Sequence, residues 1–266
     1  SKRWIDLFFL PRFQPIEILK PFLIIILTTI LCSNKISNLY SKYLLSIFIV
    51  TIVSFLLIMQ PDIGQTLLII FSWVILIFTS GINIFFLFGF SLFLLIFFIS
   101  LITYFPKFEY IRSRIFSFFD RDLGTHNFQS DKAIESITSG GFFGKGIGEG
   151  VLKNRVPEAH TDYIISVISE EFGVIAIILI LLMFLVLIYM VFKKINYEKS
   201  EKIKLVLIGC VSLILMQVTI HVGVNIRLFP TTGMTLPFLS YGGSSIISIS
   251  ILSGIILNLT KRKINQ

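Results

Sequence analysis

Apolar residues run through this chain in long blocks, separated by shorter polar or charged stretches. Each block covers roughly 17 to 30 residues, against the ~20 needed to cross a bilayer as a helix. The pattern predicts about seven membrane-spanning helices, at 16–33, 43–59, 63–80, 83–105, 163–192, 203–226 and 244–260. The expected fold class is therefore an all-α polytopic membrane protein. It forms one integral-membrane domain over residues 1–266, with a single large loop at 106–162.

The polar breaks orient these spans. Lys35 and Lys42, then Lys193, Lys194, Lys199 and Lys202, then Lys261, Arg262 and Lys263 fall in loops or a tail that alternate onto one face. Short basic loops mark the cytoplasmic side. Residues 1–15, the large loop 106–162 and the segment 227–243 then lie outside. The large loop carries balanced basic and acidic residues, and its length makes it a poor orientation signal. Within it, the alternation of basic and aromatic residues from Tyr110 to Phe119 predicts an interfacial helix. Residues 139–150 are rich in glycine and lack the Gly-Lys-Ser/Thr of a phosphate loop. Close backbone packing or a bend accounts for them better than phosphate binding on their own.

Composition narrows the classes further. With 55% hydrophobic residues, 28 Phe and a mean hydropathy of +0.90, the chain is excluded from the soluble 266-residue domains. A net charge of +8 would suggest nucleic acid in a soluble protein, but here Lys and Arg gather at span ends, so no nucleic-acid partner is expected. Cys32 and Cys210 both sit in apolar spans and make no disulfide or metal pattern. His126, His160 and His221 are too dispersed for a metal motif.

Candidate chemistry concentrates at two places. Pro157-Glu158-Ala159-His160-Thr161-Asp162 closes the large loop just before a span. Thr161 or Asp162 suits an N-cap of that helix, and Asp162 equally suits a base if apolar surroundings raise its pKa against the helix dipole. Glu170 follows two turns inward on roughly the same face, where an ionisable group is a functional suspect. The second place is Pro230-Thr-Thr-Gly-Met-Thr-Leu-Pro-Phe-Leu-Ser-Tyr-Gly-Gly-Ser-Ser245, a polar segment between two apolar runs. Non-helical backbone at that depth must be satisfied by protein or a wet cavity. Gln217, His221 and Asn225 share one helix face at i, i+4 and i+8, as groove-lining groups or as interhelical hydrogen bonds. Asp62, in Gln60-Pro61-Asp62-Ile63-Gly64, reads as a helix cap before a second acid.

These motifs closely resemble the shape, elongation, division and sporulation family, the FtsW/RodA proteins. The resemblance also takes in Arg3-Trp4-Ile5-Asp6-Leu7 and Gln14-Pro15-Ile16-Glu17-Ile18-Leu19-Lys20, and it runs from Ser1 to about residue 260. Ala159 and the 146–153 string look more like the division branch than the elongation branch, while 120–129 departs from the form of many members. Family members are similar to a ten-span bundle with both ends inside, which implies about three further spans before Ser1. The implied activity is polymerisation of peptidoglycan glycan strands from lipid II in the bacterial inner membrane, at the division septum. Asp162 aligns with the family's essential acid and would deprotonate the acceptor hydroxyl, while undecaprenyl pyrophosphate leaves with inversion.

The same resemblance assigns substrate contacts to Arg3, Trp4, Lys20 and Lys153, with Trp4 at a position linked to activity. Interfacial snorkelling is the alternative for Arg3 and Lys20. It further assigns Glu158, His160 and Thr161, and Ser240, Tyr241, Gly242, Gly243 and Ser244. Arg227 departs from the family pattern and has no assigned role. A divalent cation, magnesium or manganese, is compatible with a pyrophosphate leaving group, although no motif demands one and no protein metal site is expected. The implied partners are membrane lipids, a class B penicillin-binding transpeptidase and other divisome or elongasome membrane proteins. A lipid II flippase on the same fold, or a scaffold recruiting the transpeptidase, are the competing functions. The scarcity of charge in the inner halves of spans 163–192 and 244–260 disfavours the flippase.

Overall fold

A computed structural model of the protein describes residues 3–7, 10–85 and 128–261, with scattered positions between 89 and 118. The predicted span 83–105, the interfacial helix 110–119 and the variant segment 120–129 fall wholly or largely outside the described residues. The regular elements among these residues are helical apart from one hairpin. Strands β1 (Ile5–Leu7) and β2 (Leu10–Phe13) pair antiparallel, a feature the outer segment 1–15 did not announce.

Six of the predicted spans are present as helices α1 (Pro15–Leu31), α2 (Leu39–Met59), α3 (Ile63–Thr79), α5 (Ile164–Tyr197), α6 (Glu201–Asn225) and α7 (Gly243–Thr260). Among the described residues, α2, α5, α6 and α7 are long and apolar enough to cross a membrane. α1 and α3 have 17 residues each, about a turn short of a full crossing. The large loop is more structured than expected. It contains helix α4 (Phe128–Gly140) and a 3-10 turn at Leu152–Arg155.

The chain divides into two compact units, each assembled from separate stretches. The first comprises Ser1–Leu87, Val186–Met216 and Gly243–Gln266; the second comprises Phe88–Leu185 and Gln217–Gly242. In the first unit α1 packs on α7 and on α2, and α2 on α3. Its core is aliphatic: Leu23, Ile24, Leu27, Leu68, Leu76, Leu207 and Leu252 are all buried. Gly209 lets α6 close on its neighbours, since a Cβ there would stand 2.5 Å from Ile24 and 3.1 Å from Leu76.

A polar network is embedded in this apolar unit. Lys20 is only 1% exposed and lies 2.8 Å from the Glu17 carboxylate, whose other oxygen accepts from Gln65 at 2.6 Å. Burial of both partners rules out the snorkelling alternative for Lys20. Breaking such a pair strands a charge in a low-dielectric interior. Lys20→Met is therefore expected to cost about 3–5 kcal/mol, read as a lower unfolding temperature in detergent. Lost activity at an unchanged unfolding temperature would instead assign Lys20 to the substrate.

In the second unit the distinguishing feature is a break in α5. Gly173 has φ 78° and ψ 177°, which takes it out of the helix. The backbone groups freed there pair with the glycine-rich stretch of the large loop. Lys145 and Gly146 N–H donate to the carbonyls of Glu170 and Glu171 at 2.9 and 3.0 Å, and Val174 N–H donates to Gly141 O at 3.0 Å. Such pairing is what makes irregular backbone tolerable within a spanning helix.

Candidate functional site

In the second unit the two chemistry-bearing motifs meet. Residues 157–163 form a tight turn ahead of α5. Glu158 adopts φ 53°, left-handed backbone that a non-glycine residue seldom takes. Its carbonyl gathers the N–H groups of Thr161, Asp162 and Tyr163 at 3.0–3.3 Å. The Thr161 hydroxyl turns back onto Glu158, to its carbonyl at 3.2 Å and its carboxylate at 3.0 Å, and so does not cap α5.

The outer face of this turn is fixed by the polar segment 230–245 and the end of α6. Three successive carbonyls are each held by a different donor. Tyr241 N–H donates to His160 O at 2.9 Å, the Ser240 hydroxyl to Thr161 O at 2.6 Å, and the Asn225 amide to Asp162 O at 3.1 Å. Ser240 is itself fixed, because its oxygen accepts from Leu236 N–H at 2.7 Å. The Asp162 side chain is half-buried beside Gly233, where a Cβ would stand 3.3 Å from Oδ2. His160, Glu158 and the Tyr241 ring are exposed around it. Ser240→Ala would orphan the Leu236 N–H and release Thr161 O. A loss of about 1–3 kcal/mol in thermal unfolding is expected, with Ser240→Thr losing less.

The α6 face predicted from its i, i+4, i+8 spacing is fully buried, and its polar groups serve the segment rather than a neighbouring helix. Gln217 donates to Thr235 O at 3.0 Å, His221 Nδ1 lies 2.7 Å from Met234 O, and Asn225 reaches Asp162. The link from Asn225 to the acid was not anticipated, although the spacing alone places it on the right face. Arg227, unassigned before, pairs with Asp131 of α4.

Glu170, suspected from its position, is a fully buried structural hub. Its carboxylate accepts from Val151 and Leu152 N–H at 3.0 Å and from the Ser136 hydroxyl at 3.1 Å, with Lys145 at 3.4 Å. The glycine-rich run packs against this part of α5. A Cβ on Gly140 would stand 1.9 Å from Ser169 O, and one on Gly144 2.2 Å from Glu171 O. Close packing is thus the role of these glycines. Lys153 lies in the 3-10 turn, and its side chain is outside the described ones.

The remaining assigned positions belong to the first unit. Arg3 donates to the carbonyls of Gln60 and Pro61 and lies 3.8 Å from Asp62. Asp62 caps α3 by accepting from Gln65 N–H, and Gln14 donates to its other oxygen at 3.0 Å. Burial pushes this carboxyl above the usual range, and Arg3 opposes the shift. Trp4 is exposed, and Gln14 N–H donates at 2.9 Å to Ser244, the residue after Gly243 at the start of α7. Gly242, unlike these, belongs to the second unit and is half-buried. Three sequence motifs therefore converge here as a structural network around Asp62. Among the described residues no three His, Cys, Asp or Glu side chains come together as a metal site.

Over residues 1–265 the chain matches the model of the FtsW/RodA/SpoVE cell cycle proteins. It is 30% identical to the probable peptidoglycan glycosyltransferase FtsW of Enterococcus hirae, over 100% of this chain and 70% of the relative. It is 34% identical to the protein of the same name from Caulobacter vibrioides, over 94% of this chain and 63% of the relative. The chain thus spans about two-thirds of the length of these curated relatives. Its fold is similar to a chain of a solved peptidoglycan synthase complex in which polymerization and crosslinking are coordinated. There the TM-score is 0.76 at 27% identity, covering 99% of this chain and 74% of the other.

Proposed function

Because the chain belongs to the FtsW/RodA/SpoVE family of cell cycle proteins, we propose that the protein containing it polymerises lipid II into glycan strands for septal wall synthesis. The observation that carries this reading is the clamp on three successive carbonyls, 160–162. It holds Asp162 on a rigid turn with its carboxylate half-exposed beside Gly233, and a base must be held within reach of the proton it removes.

In the proposed reaction Asp162 takes the proton from the acceptor sugar hydroxyl. The oxygen bonds to the anomeric carbon of the donor as the carbon–oxygen bond to pyrophosphate breaks. Undecaprenyl pyrophosphate leaves with the electron pair, and the anomeric centre inverts. Exposed Arg155, shortly before the acid turn, supplies positive charge for the leaving group. Arg227 is already committed to Asp131. The exposed ring of Tyr241 and the side chains of His160 and Glu158 offer apolar and hydrogen-bonding contacts to a sugar. A class B penicillin-binding transpeptidase is the proposed partner, supported by the likeness to a chain of a peptidoglycan synthase complex.

The test uses the full-length protein, purified with its transpeptidase and supplied with fluorescent lipid II. Moenomycin silences contaminating classical glycosyltransferases. Polymer on a gel together with released undecaprenyl pyrophosphate is the expected result. Lipid II transfer across liposomes without polymer would replace the enzyme with a transporter. Neither product, with transpeptidase binding intact, would leave a scaffold.

A further inference from the structure

Glu170 is a fully buried carboxylate in the outer end of α5, ahead of the break at Gly173. Burying such a charge is costly unless it is paired and hydrogen-bonded. An apolar side chain would fill the same space without that cost. What the carboxylate adds is direction. One oxygen accepts from the N–H groups of Val151 and Leu152, both at 3.0 Å, and the other from the Ser136 hydroxyl of α4 at 3.1 Å. Bonds to an ionised acceptor are the strong ones, so they fix both neighbours against α5.

Leu152 opens the 3-10 turn Leu152–Arg155, and α4 packs against that turn. The turn carries Lys153 and ends on exposed Arg155. Buried Val156 follows, and then the acid turn. The stretch 152–162 is therefore an arc tied at both ends to α5. Glu170 holds its start. Its finish leads through Asp162 into α5, under the clamp on carbonyls 160–162. From Ile164 to Glu170 the helix rises about 9 Å, so α5 itself sets the separation of the two attachments. Gly150 permits the attachment at the start. A Cβ there would stand 2.9 Å from Glu170 Cδ and 3.0 Å from Oε2.

We propose that Glu170 is a positioning residue for the transfer step: by anchoring the 3-10 turn it fixes the Arg155 guanidinium relative to the Asp162 carboxylate. The inference rests on the polymerase reading, in which Arg155 meets the leaving pyrophosphate and Asp162 the acceptor hydroxyl. Base and leaving-group cation serve the bond that forms and the bond that breaks at one carbon. Their spacing must hold through the transfer, and a displacement of about 1 Å costs up to about 100-fold in rate.

The test is a double-mutant cycle on the full-length protein with its transpeptidase, polymerising saturating fluorescent lipid II. Gly150→Ala opens the anchor without removing a charge, because its Cβ forces the carboxylate and the two N–H groups apart. It is expected to lower kcat by about 10- to 100-fold in the parent. In an Arg155→Gln background it is expected to cost less than about twofold, since a misplaced cation and a missing one are then equivalent. Glu170→Gln keeps an oxygen for both N–H groups and is expected to retain far more activity than Glu170→Ala. Val151→Pro, which deletes one of the two donors at an exposed position, takes the place of Gly150→Ala should that variant fail to fold. Equal losses in both backgrounds would overturn the proposal and leave Glu170 a purely structural residue. Arg155→Gln as active as the parent would overturn it as well. Failure of the parent itself to polymerise would remove the underlying reading, and the inference with it.

Discussion

Replacing Asp162 with asparagine is expected to lower the polymerisation rate by about 10²–10⁴-fold, the usual contribution of a positioned general base. The substitution is nearly isosteric, and the contacts that define the turn are to backbone. Asp162 N–H donates to Glu158 O, and its carbonyl accepts from Asn225 whichever side chain follows. Unfolding temperature and transpeptidase binding are therefore expected to stay close to those of the parent. Gel quantification of polymer beside a thermal unfolding curve separates the two effects. Equal polymer from both proteins would move the proton acceptor elsewhere in the turn, and Glu158 would be the next residue to replace.

Gly173→Ala, at the single glycine of α5, is expected to be strongly destabilising. The backbone at Gly173, φ 78° with ψ 177°, is all but closed to residues with a side chain. The new Cβ would also meet Phe142 O at 2.1 Å and Gly144 N at 2.6 Å, both backbone atoms that move only with the loop. Strain and overpacking together are expected to exceed about 3 kcal/mol. The loss is read as a lower unfolding temperature and faster amide exchange at 141–152, where Glu170 holds the Val151 and Leu152 N–H groups. Gly254→Ala in α7 serves as the control, because a Cβ there has nothing within 4 Å. Similar unfolding for both variants would show that the loop yields without cost.

The apolar blocks announced the helices because the bilayer imposes a length requirement that shows in a single sequence. The break in α5 was hidden. Gly173 stands at the head of a uniform apolar run, and what satisfies its neighbours is the backbone of a loop some thirty residues earlier, which has no side-chain signature. The hairpin at Ile5–Leu7 and Leu10–Phe13 was hidden for a similar reason, since its pairing is backbone to backbone. The acid and the polar segment were each visible as motifs, but their junction was not. All three of its acceptors and one of its donors are main-chain atoms, which carry no side-chain signature. Asn225 shows the limit well. Its spacing put it on the correct face, yet only the fold revealed that its partner is Asp162 rather than another helix. Lys20 shows a similar limit, since its motif carried the assignment to substrate while the fold adds a buried pairing with Glu17.

The clamp on residues 160–162 also bears on how this turn can evolve. A carbonyl is supplied by every amino acid, so the three bonds place no demand on which side chains stand at 160 and 161. Substitutions there other than proline leave Tyr241 N–H, Ser240 and Asn225 with the same acceptors. At 161 the hydroxyl also ties the turn to Glu158, but at exposed His160 tolerance would be the default if architecture alone were under selection. Any intolerance at His160 in a saturation screen would therefore be a signature of what the side chain does to a bound molecule. Two of the donors, by contrast, are side chains at 225 and 240, so drift there loosens the turn without touching its sequence.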